Sequence, residues 1–207
     1  MTMRIHGDLM SGNCLKVKWV ADHLRLPYDW VPVDILTGET RSAAFRAINP
    51  FGQVPVVEFA DGHTLTQSNA IICHLARGSV LVPAEAFERA RMLEWLFWEQ
   101  YSHEPAIAVR RFEKHFMHKA DDEIEPRLFE RGHLALAHMN TTLTYRDWLA
   151  GGDWITLADI ALLAYTRLAH EGGFDLAAYN AIRHWIARCE PLLGLAPIAD
   201  TRQVPGE

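Results

Sequence analysis

The sequence predicts an α+β protein, in which a small mixed α/β unit is followed by an all-helical unit. Segments with strand-like composition occur only in the first part of the chain. Longer amphipathic helical patterns fill the second part, and the change falls near residue 80. We therefore expect two domains, residues 1–80 with a βαβ-ββα mixed sheet and residues 85–207 with helices alone.

The first domain is predicted from its short apolar segments and the turns between them. Its strands are MRIH, YDWVPVDI, GQVPVVEF and HTLTQ, with Asp61-Gly62 as a hairpin turn between the last two. A helix after MRIH is indicated by an apolar stripe at helical spacing, formed by Val17, Val20, Ala21 and Leu24. Pro27 ends this helix, SAAFRAIN forms a short one, and Ser68 begins the next.

The second domain begins with a long helical pattern that starts at Glu85. Pro105 interrupts it, and because proline lacks an N–H we expect a kink or break near Ser102–His103. Thr156 and Asp159 have the spacing of a capping box before the apolar run IALLAY. Two further helices carry the apolar stripes Leu128, Ala135, Leu136, Met139, Leu143 and Ile182, Trp185, Ile186, Cys189.

Composition narrows the class of protein. The formal charge of −6 argues against general binding to nucleic acid or anionic membranes, because both select basic surfaces. The start MTMRIHGDLM lacks the apolar region of a signal peptide, and ITLADIALLAY, the most apolar stretch, is too short to span a bilayer. The three cysteines have no metal-binding spacing and indicate reduced thiols. We expect a cytoplasmic protein.

The segment QVPVV contains a proline within an apolar run, which admits two interpretations. Pro55 cannot donate to a sheet ladder, so the segment is typical of an edge strand or a bulge. Alternatively, a fixed proline turns the backbone groups of Val54 outward, where an extended peptide can pair with them. The physical properties of the sequence alone do not decide between these two interpretations.

The segments QSNA and SGNC both place a serine at the predicted start of a helix. Ser68 and Ser11 are plausible N-caps, and a helix N-terminus also attracts a carboxylate. Each serine is therefore either a structural cap or part of a binding site. Cys14, one turn inside its helix, is typical of a small buried apolar residue.

Together these motifs resemble the glutathione S-transferase superfamily. SGNCLKV, NPFGQVP (Asn49–Pro55), QSNAI and TLADI occur in that family's order and spacing, with the break between two domains. The resemblance covers the whole chain and implies a thioredoxin-like N-terminal domain, a helical C-terminal domain and glutathione as co-substrate. It also implies a homodimer. From the residues themselves we expect no metal, because no acidic partner completes a ligand set with the paired histidines, and from the charge we expect no nucleic-acid or membrane partner.

The resemblance also implies which residues bind glutathione. Val54-Pro55 corresponds to the family's cis-proline turn, where the Val54 backbone pairs with the cysteinyl part of the peptide. Gln67 and Ser68 match the positions that hold the γ-glutamyl carboxylate, which agrees with a positive helix terminus. Gln53 is a plausible further contact.

One position departs from the family pattern. Relatives with this motif set often carry a basic or imidazole side chain at the position of Thr40, where it holds the glycyl carboxylate. The adjacent Arg41 is the side chain here that can replace it. We therefore expect a contact from Arg41.

The resemblance places Ser11 where serine-type members keep their catalytic hydroxyl. Asn13 lies where bacterial cysteine-type members keep a thiol, and Cys14 lies one residue beyond it. Lowering a thiol pKa by about two units requires roughly 2.7 kcal/mol of thiolate stabilisation. One hydrogen bond to an anion supplies about 1.5–3 kcal/mol, and a helix N-terminus about 0.3–1 kcal/mol more. Ser11 is the expected donor, and the side-chain amide of Asn13 is its competitor.

Two further groups are candidates by analogy with the family. The segment EQYSHEP places Tyr101, His103 and Glu104 at the proline break, in the helix that lines the electrophile pocket of relatives. Kinks also occur for packing reasons alone. Phe51, in the NPFGQVP loop, matches an aromatic key that enters the partner subunit in several relatives, and the alternative is a buried loop anchor.

The sequence therefore predicts a glutathione transferase that joins the glutathione thiolate to a hydrophobic electrophile, as in detoxification. Three alternatives stay open. A glutathione-dependent disulfide reductase would need a reactive thiol at the helix start, which only Cys14 supplies. A glutathione-dependent isomerase or dehalogenase would use the same residues, and a non-catalytic scaffold would keep the fold without turnover.

Overall fold

The computed structural model describes residues 2–198 and begins with a four-stranded mixed sheet in the order β2-β1-β3-β4. The outer strand β2 is parallel to β1, whereas β1 with β3 and β3 with β4 are antiparallel. The strands are β1 (Met3–Gly7), β2 (Tyr28–Pro32), β3 (Val56–Glu58) and β4 (Thr64–Thr66). The predicted mixed sheet is confirmed.

Helices cover this sheet and form all of the regular structure that follows it within the described residues. The helices are α1 (Gly12–His23), α2 (Ala43–Ile48), α3 (Ser68–Leu75), α4 (Ala86–Trp98), α5 (Glu104–Arg111), α6 (Pro126–Thr144), α7 (Leu157–Thr166) and α8 (Asn180–Leu192). In residues 2–198 none of them is long and apolar enough to cross a bilayer. The last part of the predicted second domain, residues 199–207, lies outside the described range.

The start of α3 differs by one residue from the prediction. Gln67, not Ser68, is the N-cap, and it adopts a left-handed backbone with φ of 68°. Strand β4 ends at Thr66, so a single residue has to turn the chain from strand into helix. Ser68 is thereby the first helical residue, and its hydroxyl donates to Asn13 instead of capping α3.

The predicted interruption of the long helix is confirmed, and it takes the form of a π-helical turn. Glu99–His103 forms this turn between α4 and α5, and Pro105 occupies the first turn of α5. Without an N–H, Pro105 cannot donate to the carbonyl of Tyr101. Arg131 Nη2 of α6 donates to that carbonyl instead, at 3.2 Å. A second π-helical turn, Phe112–Phe116, follows α5.

One continuous apolar core joins the sheet-containing part to the helical part. Helix α7 lies at its centre and is buried over its whole length. The predicted capping box of Thr156 and Asp159 is confirmed, and the Asp159 carboxylate also accepts from Trp185 Nε1. Helix α1 packs on both α3 and α7, and a Cβ at Gly12 would lie 2.7 Å from the Tyr165 ring. Gly12 therefore permits the close approach of the two parts.

Candidate functional site

A cavity of about 600 Å³ lies where the first part of the chain faces the helical part. Its walls come from the start of α1, the loop before β3, the start of α3 and the π-helical turn with α5. The lining residues are Asn13, Ile35, Thr40, Asn49, Gly52, Gln53, Val54, Pro55, Gln67, Ser68, Gln100, Glu104 and Phe112. We call this the large cavity.

The loop before β3 forms one wall through its backbone. The Val54-Pro55 peptide is cis, and β3 begins only at Val56. Pro55 thus precedes the strand instead of lying inside it, and β3 is an interior strand, so the edge-strand interpretation was wrong. The buried side chain of Asn49 fixes the loop, because its Nδ2 donates to the Gln53 carbonyl at 2.7 Å and its Oδ1 accepts from the Phe51 N–H at 3.1 Å.

The start of α3 forms the adjacent wall. Gln67 is exposed to the large cavity and Ser68 is buried beside it. The first N–H groups of a helix lack intrahelical partners and carry a partial positive charge, which favours a bound carboxylate. The structure therefore brings Gln53, Val54-Pro55, Gln67 and Ser68 to one cavity.

Asn13 lies at the centre of a polar network in the wall formed by α1. Its side-chain Oδ1 accepts from Lys16 Nζ at 2.8 Å and from Ser68 Oγ at 3.0 Å. Its Nδ2 donates to Glu104 Oε1 at 3.3 Å. Both parts of the chain thus hold this amide in place.

Lys16 forms a buried ion pair with Glu99. Lys16 Nζ lies 2.8 Å from Glu99 Oε1, and both side chains have no exposed surface. The second oxygen of Glu99 accepts from Asn69 Nδ2 at 3.1 Å and from Gln100 Nε2 at 2.8 Å. This pair was not predicted from the sequence, because a lysine on an amphipathic helix is usually solvated. Its spacing of three residues from Asn13 was the one available signal.

A second cavity, of about 280 Å³, adjoins the large one, and we call it the small cavity. Most of its lining side chains are apolar, which makes it suited to an apolar molecule. The lining residues are Met10, Ser11, Ile35, Glu104, Ala108, Val109, Arg111, Phe112, Glu113, Phe116 and Tyr165. Ile35, Glu104 and Phe112 line both cavities.

Ser11 lines the small cavity, whereas Asn13 lines the large one. Ser11 is the N-cap of α1 as predicted, but its side chain makes no capping hydrogen bond. The structure separates these two candidate thiolate donors, and the choice between them stays a prediction.

The candidates around the proline break have three different environments. Tyr101 is 81% exposed and does not line either cavity. His103 is fully buried, its Nε2 lies 2.9 Å from Thr166 Oγ1, and burial lowers its pKa to about 4. Glu104 reaches both cavities, and burial, followed by the nearby charge of Glu99, raises the pKa of its carboxyl. Glu104 is therefore the one of the three that faces a cavity.

The remaining predicted residues lie at the surface. Arg41 is exposed outside the large cavity, whereas Thr40 lines it. Arg41 therefore does not line the large cavity in this conformation, and its contact with the glycyl end stays a prediction. Phe51 is 73% exposed, so the alternative of a buried loop anchor was wrong. Residues 2–198 contain no cluster of side chains suited to a metal ion.

Cys14 lies in the first turn of α1, and its side chain is fully buried. Its Sγ accepts from the Asp8 N–H at 3.4 Å, and burial raises the pKa of its thiol to about 11. A thiol with this pKa is almost entirely protonated at neutral pH, and it is therefore a poor nucleophile.

Fold and site together define a class of protein. A cis-proline turn beside the N-terminus of a helix, on this four-stranded mixed sheet, is the thioredoxin-like arrangement, and the helical part closes the cavity from the other side. Backbone groups and a helix terminus at the cavity wall suit an extended peptide that bears carboxylates.

Comparison with known proteins gives the family. A model of the glutathione S-transferase N-terminal domain matches residues 10–77. The disulfide-bond oxidoreductase YfcG of Escherichia coli (strain K12) is 30% identical over 187 residues, 85% of each chain. The crystal structure of a glutathione S-transferase from Pseudomonas fluorescens is 43% identical, with a TM-score of 0.88 over 99% of this chain and 98% of that one. A Xanthobacter autotrophicus glutathione S-transferase structure is 40% identical, with a TM-score of 0.88 over 99% of this chain and 100% of that one. This chain belongs to the glutathione S-transferase superfamily.

The burial of Cys14 predicts an order of thiol reactivity. In the native protein at pH 8, iodoacetamide should modify the half-buried Cys73 well before Cys14, because a thiol with a pKa of about 11 is only about one part in a thousand ionised at that pH. Peptide mass spectrometry over time measures the order, and urea-unfolded protein, in which both thiols should react alike, is the control. Equal native rates would contradict the burial argument.

Proposed function

We propose that the protein is a glutathione transferase that joins the glutathione thiolate to a small hydrophobic electrophile. The observation that carries this proposal is the large cavity, which gathers the predicted glutathione contacts Gln53, Val54-Pro55, Gln67 and Ser68 in two adjacent walls. The free thiols of the chain agree with a reducing, cytoplasmic compartment, where glutathione itself stays reduced.

In this proposal, backbone groups bind the peptide and a helix terminus binds its carboxylate. The cis turn presents Val54 to the cysteinyl residue of glutathione, as in strand addition. The N-terminus of α3, with Ser68 and Gln67, takes the γ-glutamyl end. Thr40, which lines the same cavity, is the proposed hydrogen-bond partner for the glycyl end, and Arg41, which does not line it, would have to reorient to contribute.

We assign the thiolate hydrogen bond to Asn13, in preference to the Ser11 hydroxyl expected from the sequence. Asn13 shares the large cavity with Val54, whereas Ser11 lines the small cavity. Its Nδ2 carries two hydrogens, and Glu104 accepts one of them, which leaves the other for an acceptor. A hydrogen bond to an anion contributes about 1.5–3 kcal/mol, which is of the size needed to lower a thiol pKa by one to two units.

The small cavity is the proposed site of the electrophile. It adjoins the large cavity, with Glu104 and Phe112 common to both, so an apolar molecule bound there would lie beside the glutathione sulfur. Ser11 would then face the electrophile instead of the thiol. Tyr101 and His103 have no role in this proposal.

A glutathione-dependent disulfide reductase is the second candidate, because the relative from Escherichia coli is called a disulfide-bond oxidoreductase. The route through Cys14 that the sequence allowed is not favoured, because that thiol is buried and protonated. A reductase here would have to work without a protein thiol. Isomerase, dehalogenase and scaffold roles would use the same cavity, and assays of turnover separate them.

Glutathione binding is the first test. Glutathione at millimolar concentration should raise the melting temperature, and Gln67→Ala should weaken binding by about tenfold or more, because it removes a hydrogen bond to a charged group. Thr64→Ala, an exposed change on the neighbouring strand β4, is the control. A thiol-consumption screen with diverse electrophiles then tests turnover. If glutathione gives neither a heat of binding nor a rise in melting temperature with the wild-type protein, the proposal is refuted.

The thiolate donor is tested by comparing Asn13→Ala with Ser11→Ala. In Asn13→Ala the pKa of the bound glutathione thiol should rise by about one to two units, with turnover at neutral pH reduced tenfold or more and partly recovered at alkaline pH. Ser11→Ala should leave that pKa within about 0.3 unit of the wild-type value, because Ser11 lines the other cavity. Thiolate absorbance against pH measures both. The reverse pattern would return the role to Ser11.

We also propose a homodimer in which Phe51 enters the partner subunit. An aromatic side chain that is 73% exposed at the tip of a fixed loop supports this, because such a residue gains by burial. Phe51→Ala should shift the sedimentation of the protein from dimer toward monomer at micromolar concentration. Tyr145→Ala, an equally exposed aromatic residue after α6, is the control and should stay dimeric. A monomeric wild-type protein would contradict the proposal.

A further inference from the structure

The orientation of the Asn13 amide is fixed by its neighbour Lys16. An ammonium group is only a donor, so the atom of Asn13 that lies 2.8 Å from Lys16 Nζ has to be the oxygen. With the oxygen on that side, Nδ2 lies on the opposite side of the amide, where Glu104 Oε1 accepts from it at 3.3 Å. The opposite rotamer would place an NH₂ group against the ammonium.

Ser68 also donates to Asn13 Oδ1, but it has one hydroxyl proton to give. A carboxylate bound at the start of α3 would compete for that proton, since hydrogen bonds to an anion are stronger than those to an amide oxygen. When the Ser68 hydroxyl donates to the carboxylate, Lys16 is the donor that continues to hold the Asn13 oxygen. The Asn13–Lys16 contact therefore matters most once glutathione is bound.

The charge of Lys16 requires a partner, because its side chain has no exposed surface. Glu99 supplies it at 2.8 Å, and Asn69 and Gln100 hold the second oxygen of Glu99. Lys16 Nζ also lies 5.8 Å from the centre of the Tyr165 ring. Four side chains from both parts of the chain thus surround the ammonium group beside Asn13, Glu99 and Tyr165 directly and Asn69 and Gln100 through Glu99.

We propose that Lys16, neutralised by Glu99, is a positioning residue that keeps the Asn13 amide turned so that its Nδ2 donates to the glutathione sulfur. Lys16 acts through Asn13 and does not touch the substrate. This inference rests on the proposed function and deepens it, because it names what holds the thiolate donor in place. It also makes the thiolate-stabilising group of the first domain depend on a carboxylate of the second.

The test removes the pair without leaving a lone buried charge. Lys16→Met alone would leave Glu99 as an unpaired buried charge. The informative variant is therefore Lys16→Met/Glu99→Gln, and urea unfolding checks that it folds. Lys18→Met on the same helix is the matched control, because Lys18 bonds to Asp22 at the partly exposed side of α1. The readouts are thiolate absorbance of bound glutathione against pH, and the affinity for S-methylglutathione, which has no thiol to ionise.

We expect the double variant to raise the pKa of the bound thiol by about one unit, a tenfold loss of thiolate at neutral pH. Its affinity for S-methylglutathione should change by less than about threefold, and Lys18→Met should match the wild-type protein. In an Asn13→Ala background the same double substitution should add almost nothing, because Lys16 then has no amide to hold.

Three outcomes would overturn the inference. If the double variant folds and the thiol of its bound glutathione has the same pKa as in the wild-type protein, the pair has only a structural role. A shift that persists in full in the Asn13→Ala background shows that the charge acts on the thiol directly. No binding of glutathione by the wild-type protein removes the proposed function as well. If the protein binds glutathione and lowers the pKa of its thiol but shows no turnover, the proposed function is contradicted and this inference is not.

Discussion

The buried ion pair between Lys16 and Glu99 is the constraint on which the arrangement of the site depends. Lys16 belongs to the helix that follows the first strand, and Glu99 to the π-helical turn of the helical part. Removing one partner of such a buried pair typically costs about 3–5 kcal/mol, although an apolar replacement of both is often neutral. Stability alone therefore does not explain the pair. In the role proposed above, its contact with Asn13 does, because the pair joins the α1 wall of the large cavity to the wall formed by the π-helical turn.

The two parts of the chain supply different kinds of chemistry. The first part presents backbone groups, through the cis turn at Val54-Pro55 and the N-terminus of α3, and these recognise a peptide by its main chain. The helical part presents side chains, and α5 alone contributes Glu104, Ala108, Val109 and Arg111 to the small cavity. In the proposed function, the first part supplies most of the glutathione contacts. The second substrate would contact side chains of both parts, among them Met10 and Ser11 of the first part.

Most elements of the fold could be predicted because their signals are local. The spacing of apolar residues in α1, the cap formed by Thr156 and the break before Pro105 all arise within a few residues of sequence, and each is present. The errors also have local causes. Ser68 was assigned as the cap of α3 because serine favours that position, whereas the one-residue link from β4 assigned it to Gln67.

The site could be predicted only in part. Its backbone contacts follow from motifs that are continuous in the sequence, and the structure brings NPFGQVP and QSN to one cavity. The environments of individual side chains could not be predicted from these motifs. The segment EQYSHEP holds three candidates within four residues, yet Tyr101 is exposed, His103 is buried and Glu104 lines both cavities.

The sequence by itself determined the class of fold, the family and the segments that form the large cavity, because these depend on periodicity, turn chemistry and short motifs. Tertiary structure alone decided that Asn13 and Ser11 face different cavities, that Cys14 is fully buried, and that Lys16 is buried against Glu99. The physical reason is distance along the chain. Lys16 and Glu99 are 83 residues apart, and only the packing of the first part of the chain against the helical part creates the low-dielectric environment in which they meet.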